Sequence, residues 1–358
     1  NIPVTPTVMG LGCMDRDDPY YIGAIGALGA GSSNSLSKDT DLALAVGTKL
    51  GDFTTGSWAN FENEDFKLVS INTTRFDVTK HRATPVISDA KIGFQELSKA
   101  LGDWKAPNIW FDRAVKERTE WNSYVDKESG PTNQELPSYA HAVGAIYRNA
   151  DPSDIVVTAA GGLVGEVVQI WKPKQKNTFE TEWGFSCMGY EISGALGIKM
   201  AKPDQDVIVF IGDGSYLLAN SDIYSSVIYD KKLIIVVCDN GGHMVINRLQ
   251  LAKGGKEYIC NLRAARATNL QFVDFEAHAK SMGANGETVS STSELEAAFL
   301  RAKKSDKTYV ISLKTDGYQW LDGTSFWESP TLEVHSTVAN KKAYSELVEG
   351  KKKQRKGI

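Results

Sequence analysis

Cysteine is scarce in this 358-residue sequence: only Cys13, Cys187, Cys238 and Cys260 occur, far apart and without a C-x-x-C pair. That spacing argues against a disulfide framework or a thiolate zinc site and predicts reduced thiols, as in a cytoplasmic protein. No apolar run approaches the roughly 20 residues that cross a bilayer, and no basic-then-apolar leader precedes the first strand, so no membrane partner is expected. Excess positive charge is also missing, since 40 Lys and Arg face 44 Asp and Glu for a net charge of −4. No nucleic-acid partner is therefore expected, and the single basic block, GKKKQRKGI at 350–358, reads as a solvated tail. Internal repeats and low-complexity tracts are absent too. The first residue is Asn1 rather than Met, which makes a piece of a longer chain, or a processed product, the expectation.

What is present alternates apolar runs with helical patterns, the mark of an α/β protein with parallel sheets. In the first part IPVTPTV, DLALAVGT, FKLVSINT and ATPVISD read as strands, with SSNSLSKD and KIGFQELSKAL as helices. The stretch GAIGALGAGSSNSL from Gly23 lacks the G-x-G-x-x-G frame and a preceding strand, so it reads as a tight loop feeding a helix. A polar segment, DKESGPTNQELP at 126–137, reads as a linker. Beyond it the strands DIVVTAA, DVIVFIG, KLIIVVCDN, GETVS and TYVISLK are interleaved with helices. Most are near-continuous Val/Ile runs, which predicts a sheet covered on both faces. The expected organisation is two Rossmann-like domains, 1–125 and 138–330, joined by the linker and followed by a C-terminal extension at 331–358.

One apolar run, VIVFIGDGSYLLAN, stops at a carboxylate held between two glycines. In an open parallel sheet ligands bind beyond the carboxyl ends of strands, and Asp213 and Asn240 both sit at such ends. If their strands are neighbours, a right-handed crossover puts both side chains on one edge of the sheet. A carboxylate, an amide oxygen and a backbone carbonyl near Gly242 form a hard-oxygen half-shell suited to Mg²⁺ and ligand phosphates. Gly212 and Gly214 let the backbone approach those phosphates, and the start of the next helix, at Ser215, offers free N–H groups. Taken alone, Asp213 reads more readily as a turn former or helix cap and Asn240 as a strand-end turn residue.

The pairing itself is more informative: GDG, then 25 residues, then Asn240 in CDNGG. This arrangement resembles the signature of the thiamine-diphosphate enzymes, in which the Asp and the terminal Asn hold Mg²⁺. The resemblance extends to GFSCMGYEISGALGIKMA at 184–201, the loop and helix that receive the aminopyrimidine. It implies that Met188 props the cofactor into its bent form and that the Ser186 carbonyl accepts from its amino group. It also implies backbone contacts from Gly162 and Leu163 in TAAGGLVGE to the diphosphate.

Decarboxylases and acetolactate synthases of the family commonly read Gly-x-Leu-Pro-Ala-Ala after the Met-Gly pair. Here the run is GYEISGALG, with Glu191 where a small or apolar residue is expected. Together with DFTTGSW and FDVTKHRATPV in the first part, it most resembles the branch that hydrolyses a C–C bond of a cyclic 1,2-diketone in inositol catabolism. The resemblance implies that residues 1–125 are the central, cofactor-free domain and 138–330 the diphosphate-binding domain. It further implies that a pyrimidine-binding domain, which supplies the activating glutamate, must come from another chain or from missing N-terminal residues, in a homo- or hetero-oligomer. Glu182 and Glu191 are not expected to play that part. His243 reads either as an acid/base facing the reacting centre or as a solvent-wetted loop residue. Asn220, Asn247 and Arg248 are candidates for polyol hydroxyls or plain helix-surface residues. A 2-oxo-acid carboligase or decarboxylase, or a non-catalytic cofactor-binding subunit, stays open as an alternative.

Overall fold

The computed structural model describes residues 1–355 and contains two parallel sheets, in agreement with the α/β expectation. The first consists of β1 (Leu42–Val46), β2 (Lys67–Asn72) and β3 (Thr84–Ile87) in that order. The second comprises β4 (Ile155–Thr158), β5 (Phe179–Thr181), β6 (Val207–Gly212), β7 (Ile234–Asp239), β8 (Asn285–Val289) and β9 (Tyr309–Lys314). Its spatial order is β5-β4-β6-β7-β9-β8. The first part also holds α1 (Gly31–Asp39), α2 (Asp52–Thr55), α3 (Arg75–Val78), α4 (Ala90–Leu101) and α5 (Asn108–Glu128). Then follow α6 (Tyr139–Asn149), α7 (Leu163–Ile170), α8 (Tyr190–Ala201), α9 (Asp213–Leu218) and α10 (Asp222–Ile228). The remainder are α11 (Met244–Ala252), α12 (Phe275–Ser281), α13 (Thr292–Lys304) and α14 (Val338–Lys352).

The alternation of a pleated strand explains how one Val/Ile run serves two faces. Ile208 and Phe210 of β6, with Ile234, Val236 and Cys238 of β7, pack in one cluster with α6, α7 and α13. The intervening Val207, Val209, Ile211, Ile235 and Val237 pack on the other side with α8, α9 and α12. Both strands are thus buried over almost their whole length, and only their carboxyl ends meet polar groups.

Three expectations are corrected. IPVTPTV forms no strand: Pro3 and Pro6 lack N–H donors, and only Val4 bridges to Tyr21. The polar segment from residue 126 begins inside α5, which runs on to Glu128 before the chain turns irregular. The basic block is solvent-exposed at Lys351, Lys352 and Lys353 as expected, but over its described part it is tied to the rest of the chain rather than a free tail. Lys351, Lys352 and Lys353 pair with Glu328, Glu349 and Glu62, and Arg355 donates to the Phe66 carbonyl. Residues 356–358 lie outside the described residues. The glycine-rich stretch at 23–31 is the expected loop: the Asn34 side chain accepts from Gly26 N–H and donates to its carbonyl, both at 2.9 Å, leaving that turn closed on itself.

Phe210 is fully buried and meets Trp171 edge-on at 6.1 Å. Replacing it with Ala should lower unfolding free energy by about 3–5 kcal/mol through the cavity left in the face shared with α7, as read from denaturant midpoints at unchanged slope.

Candidate functional site

β6 and β7 are adjacent and parallel, with Gly212 opposite Cys238, so Asp213 and Asn240 emerge side by side at one sheet edge. After β4 the chain moves outward to β5 and then returns to β6 on the opposite side of β4. That reversal opens a crevice between the turns after β4 and β6, the usual ligand position in such sheets. A cavity of about 580 Å³ occupies it, walled by the turns after β4, β6 and β7 and by Ala27, Leu28 and Phe53 of the first part. A more open depression of about 620 Å³ between α1 and α5 shares none of these residues.

Asp213 and Asn240 are both buried, and Asp213 Oδ2 accepts the Gly242 N–H at 2.7 Å. Gly242 has φ +142°, and a Cβ there would lie 2.4 Å from the Cys260 carbonyl, so only glycine brings this peptide to the carboxylate. The Asn240 amide nitrogen rests on the Tyr139 hydroxyl at 2.7 Å. Its oxygen then faces only acceptors, the Gly242 carbonyl at 2.9 Å and Asp213 Oδ1 at 3.3 Å. Without a cation the amide is satisfied only when turned over, its nitrogen donating to both and its oxygen accepting from Tyr139. With one, the three oxygens are a ready half-shell, and the oxygen-inward orientation is the favoured one. One carboxylate with two neutral oxygens suits a hard divalent ion; among the described residues no group of three or more His, Cys, Asp or Glu could hold a metal. Burial first, then the charge of Asp239, lifts the Asp213 carboxyl to about 7.

The loop before α8 is held by two glutamates. Glu182 accepts the N–H groups of Phe185 at 3.3 Å and Cys187 at 2.6 Å. Glu191 is fully buried and accepts from Gly189 N at 2.8 Å, Ala160 N at 3.2 Å and Ser215 Oγ at 2.9 Å. One carboxylate therefore touches the turn after β4, the loop before α8 and the start of α9. Ser186 has φ +53° and leans on the Ala159 carbonyl, while Met188 is partly exposed on the cavity wall.

A segment invisible to pattern reading closes the far wall. Trp320 lies against Gly162, where a Cβ would come within 2.1 Å of its ring, and Arg248 sits 5.2 Å from that ring. Leu321 N–H donates to Glu166 Oε1 at 3.0 Å, Ser325 Oγ to Asn60, and Trp327 Nε1 to Asp52. Glu166 Oε2, Gln169 Oε1 and Trp320 Nε1 are buried without protein partners and belong to cavity-lining residues.

Gly162, Leu163, Ser186, Met188, Gly212, Asp213, Gly214, Ser215, Asn240, Gly242 and His243 all line this one cavity. His243 stands beside Gly214, whose Cβ would meet its ring at 2.7 Å. Of the three polyol candidates only Arg248 lines the cavity. The Asn220 amide donates to the Tyr216 carbonyl, and Asn247 is turned to Glu257. Tyr139, Glu166 and Trp320 were missed. Tyr139 and Glu166 sit on helices with core-like neighbours, and Trp320 lies in a stretch without periodicity.

Residues 1–97 match the family described as thiamine pyrophosphate enzyme, central domain, and residues 159–313 the family described as thiamine pyrophosphate enzyme, C-terminal TPP binding domain. Similar curated proteins are named 3D-(3,5/4)-trihydroxycyclohexane-1,2-dione hydrolase. That of Halalkalibacterium halodurans is 33% identical, over 96% of this chain and 58% of the relative. That of Bacillus licheniformis is 32% identical over 96% and 58%, and that of Lacticaseibacillus casei 31% over 98% and 58%. The chain thus spans less than two thirds of the length of the relatives it matches.

Burial lifts Glu166 from the ordinary 4.5 to about 7, with the Leu321 N–H and Arg248 pulling it back. A raised folded-state value means the fold binds this proton more tightly than the unfolded chain. Stability from this group is full below the unfolded value and is lost as pH rises through about 7, on the order of 3 kcal/mol in all. Glu166→Gln keeps an oxygen for Leu321. Thermal melts without cofactor should therefore show a shallower loss between pH 5 and pH 8 than in the unaltered protein, the Asp213 contribution being common to both.

Proposed function

We propose, from its place among the thiamine pyrophosphate enzymes whose central and C-terminal domains this chain carries, that it binds thiamine diphosphate with Mg²⁺ and serves the hydrolytic opening of a cyclic 1,2-diketone. The observation that carries the cofactor assignment is the convergence of the Asp213 carboxylate, the Asn240 side-chain amide and the Gly242 backbone at the carboxyl ends of β6 and β7, on the wall of the cavity. These three groups hold the metal, and the metal neutralises the diphosphate. N–H groups at the starts of α7, at Gly162 and Leu163, and of α11, at Met244 and Val245, face the same cavity and suit its oxygens. Gly212, Gly214 and Ser215 shape the floor, Met188 supports the bent cofactor, and the Ser186 carbonyl accepts from its amino group. When bound, thiamine diphosphate supplies a nucleophilic carbon and an electron sink for breaking a bond next to a carbonyl.

The substrate assignment rests on the run at 184–201, with Glu191 at the position where decarboxylases and acetolactate synthases carry a small or apolar residue, and on the names of the similar proteins. In the proposed reaction trihydroxycyclohexane-1,2-dione takes up one water. The bond between its two carbonyl carbons breaks; one carbon gains OH and becomes a carboxylic acid, the other gains H and becomes an aldehyde, giving 5-deoxyglucuronate. His243, exposed on the cavity wall beside Gly214, is positioned to hold or move a proton there. The activating glutamate is assigned to a pyrimidine-binding domain outside these 358 residues, within an oligomer. Ile246, which lines the cavity, is 49% exposed, and Phe185, between the lining residues Gly184 and Ser186, is 90% exposed, apolar surface that suits such a neighbour.

Trp183 and Trp320 line the cavity, so intrinsic fluorescence reports its occupancy. With Mg²⁺ present, thiamine diphosphate should quench the protein as purified with its companions. Asp213→Ala should weaken binding by at least about 100-fold, since it removes the only carboxylate of the half-shell. The same preparation should consume the cyclic dione with release of acid. Turnover of pyruvate instead of the dione would assign a carboligase or decarboxylase, and binding without any turnover would assign a cofactor-holding subunit.

A further inference from the structure

We infer that Glu191 is a positioning residue that couples the diphosphate end of the cofactor site to its pyrimidine end, an inference that rests on the cofactor assignment above. The neighbouring elements have anchors of their own. Ala160 lies in the turn two residues beyond β4, and Ser215 is in the first turn of α9, two residues after Asp213. The loop at 184–188 is different. It is exposed throughout, with Phe185 90% exposed, and its polar ties are few: Glu182 to the N–H groups of Phe185 and Cys187, and Ser186 Oγ to the Ala159 carbonyl at 3.3 Å. Beyond these, the Cys187 carbonyl accepts the Tyr190 N–H at 3.3 Å, and the loop ends at Gly189, whose N–H reaches Glu191 Oε2 at 2.8 Å and Ser215 Oγ at 2.9 Å. Gly189 has φ +95°, and a Cβ there would come within 2.4 Å of the Ala219 side chain, so the loop enters α8 through a single fixed hinge.

Met188 is the residue before that hinge. Its backbone position is therefore set by the same carboxylate that receives Ala160 and Ser215. Three donors, two backbone N–H groups and a hydroxyl, converge on the two oxygens of Glu191 and saturate a charge with no exposure to solvent. A glutamine cannot reproduce this. It keeps one acceptor oxygen, and its NH₂ would be turned against the N–H of either Gly189 or Ala160. Because Ala160 and Ser215 are buried in the turn after β4 and in the first turn of α9, the exposed loop carrying Ser186 and Met188 is the part set free.

The test compares two ligands in the presence of Mg²⁺, thiamine diphosphate, which needs both ends of the site, and inorganic pyrophosphate, which needs only one. Tryptophan quenching gives a dissociation constant for each. Glu191→Gln should lower the preference for thiamine diphosphate over pyrophosphate by about 10-fold or more, and Ser215→Ala, which removes one of the three donors, by about 3-fold. A smaller change in that ratio for Glu191→Gln, including an equal loss for both ligands, overturns the coupling role. If Glu191→Gln does not fold, Ser215→Ala decides by its own threshold. Failure of the unaltered protein to bind thiamine diphosphate would instead sink the cofactor assignment, and this inference with it.

Discussion

The convergence of polar groups at the carboxyl ends of β6 and β7 is the constraint around which the second sheet is organised. Asp213 and Asn240 can meet only because β6 and β7 are neighbours in parallel register, and Gly242 can join them only because its backbone takes a conformation closed to other residues. The Tyr139 hydroxyl, itself fully enclosed, tolerates either face of the Asn240 amide, donating to its oxygen or accepting from its nitrogen. The Asn240 amide can thus take either orientation within one pocket wall, and the turned-over one is satisfied by protein groups alone. The cost of burying these polar groups is offset by core on both faces of β6 and β7, which holds the edge rigid enough for that reorientation to be local.

Cavity polarity follows the same logic on a larger scale. Glu191 is saturated by three donors and acts as a fastener. Glu166, equally buried, has one oxygen bonded to Leu321 and the other without a protein partner. Two carboxylates of similar burial therefore differ in chemistry because of what surrounds them: one is tied into its neighbours, the other keeps acceptor capacity next to the cavity.

Much of this was legible before any coordinates. The runs VIVFIG and LIIVVC read as buried strands, and the distance from GDG to Asn240 suggested one crossover helix between neighbours, where the structure has two, α9 and α10. The cavity-lining residues carried over from the family likeness occupy one wall system. What escaped had no period to betray it. Residues 316–327 are irregular and earn their place only through contacts with α7 and the first part of the chain. Tyr139 looks like a core aromatic until Asn240 is seen beside it. Glu191 was noticed as a departure, yet its role depends on Ala160 and Ser215, 31 and 24 residues away. The prolines of IPVTPTV misled in the opposite direction, since apolar alternation outweighed the missing donors in the reading.

The wall made by Trp320, Ser325 and Trp327 also fixes an order of events during biosynthesis. Every strand of the second sheet precedes Thr315, so that sheet can pair while the chain is still being made. The cavity cannot close until residue 327 has cleared the ribosome and reached Asp52, 275 residues earlier in the chain. A ligand arriving before that contact would find an open shelf; the walled cavity forms only after residues 320–327 have been made and have docked.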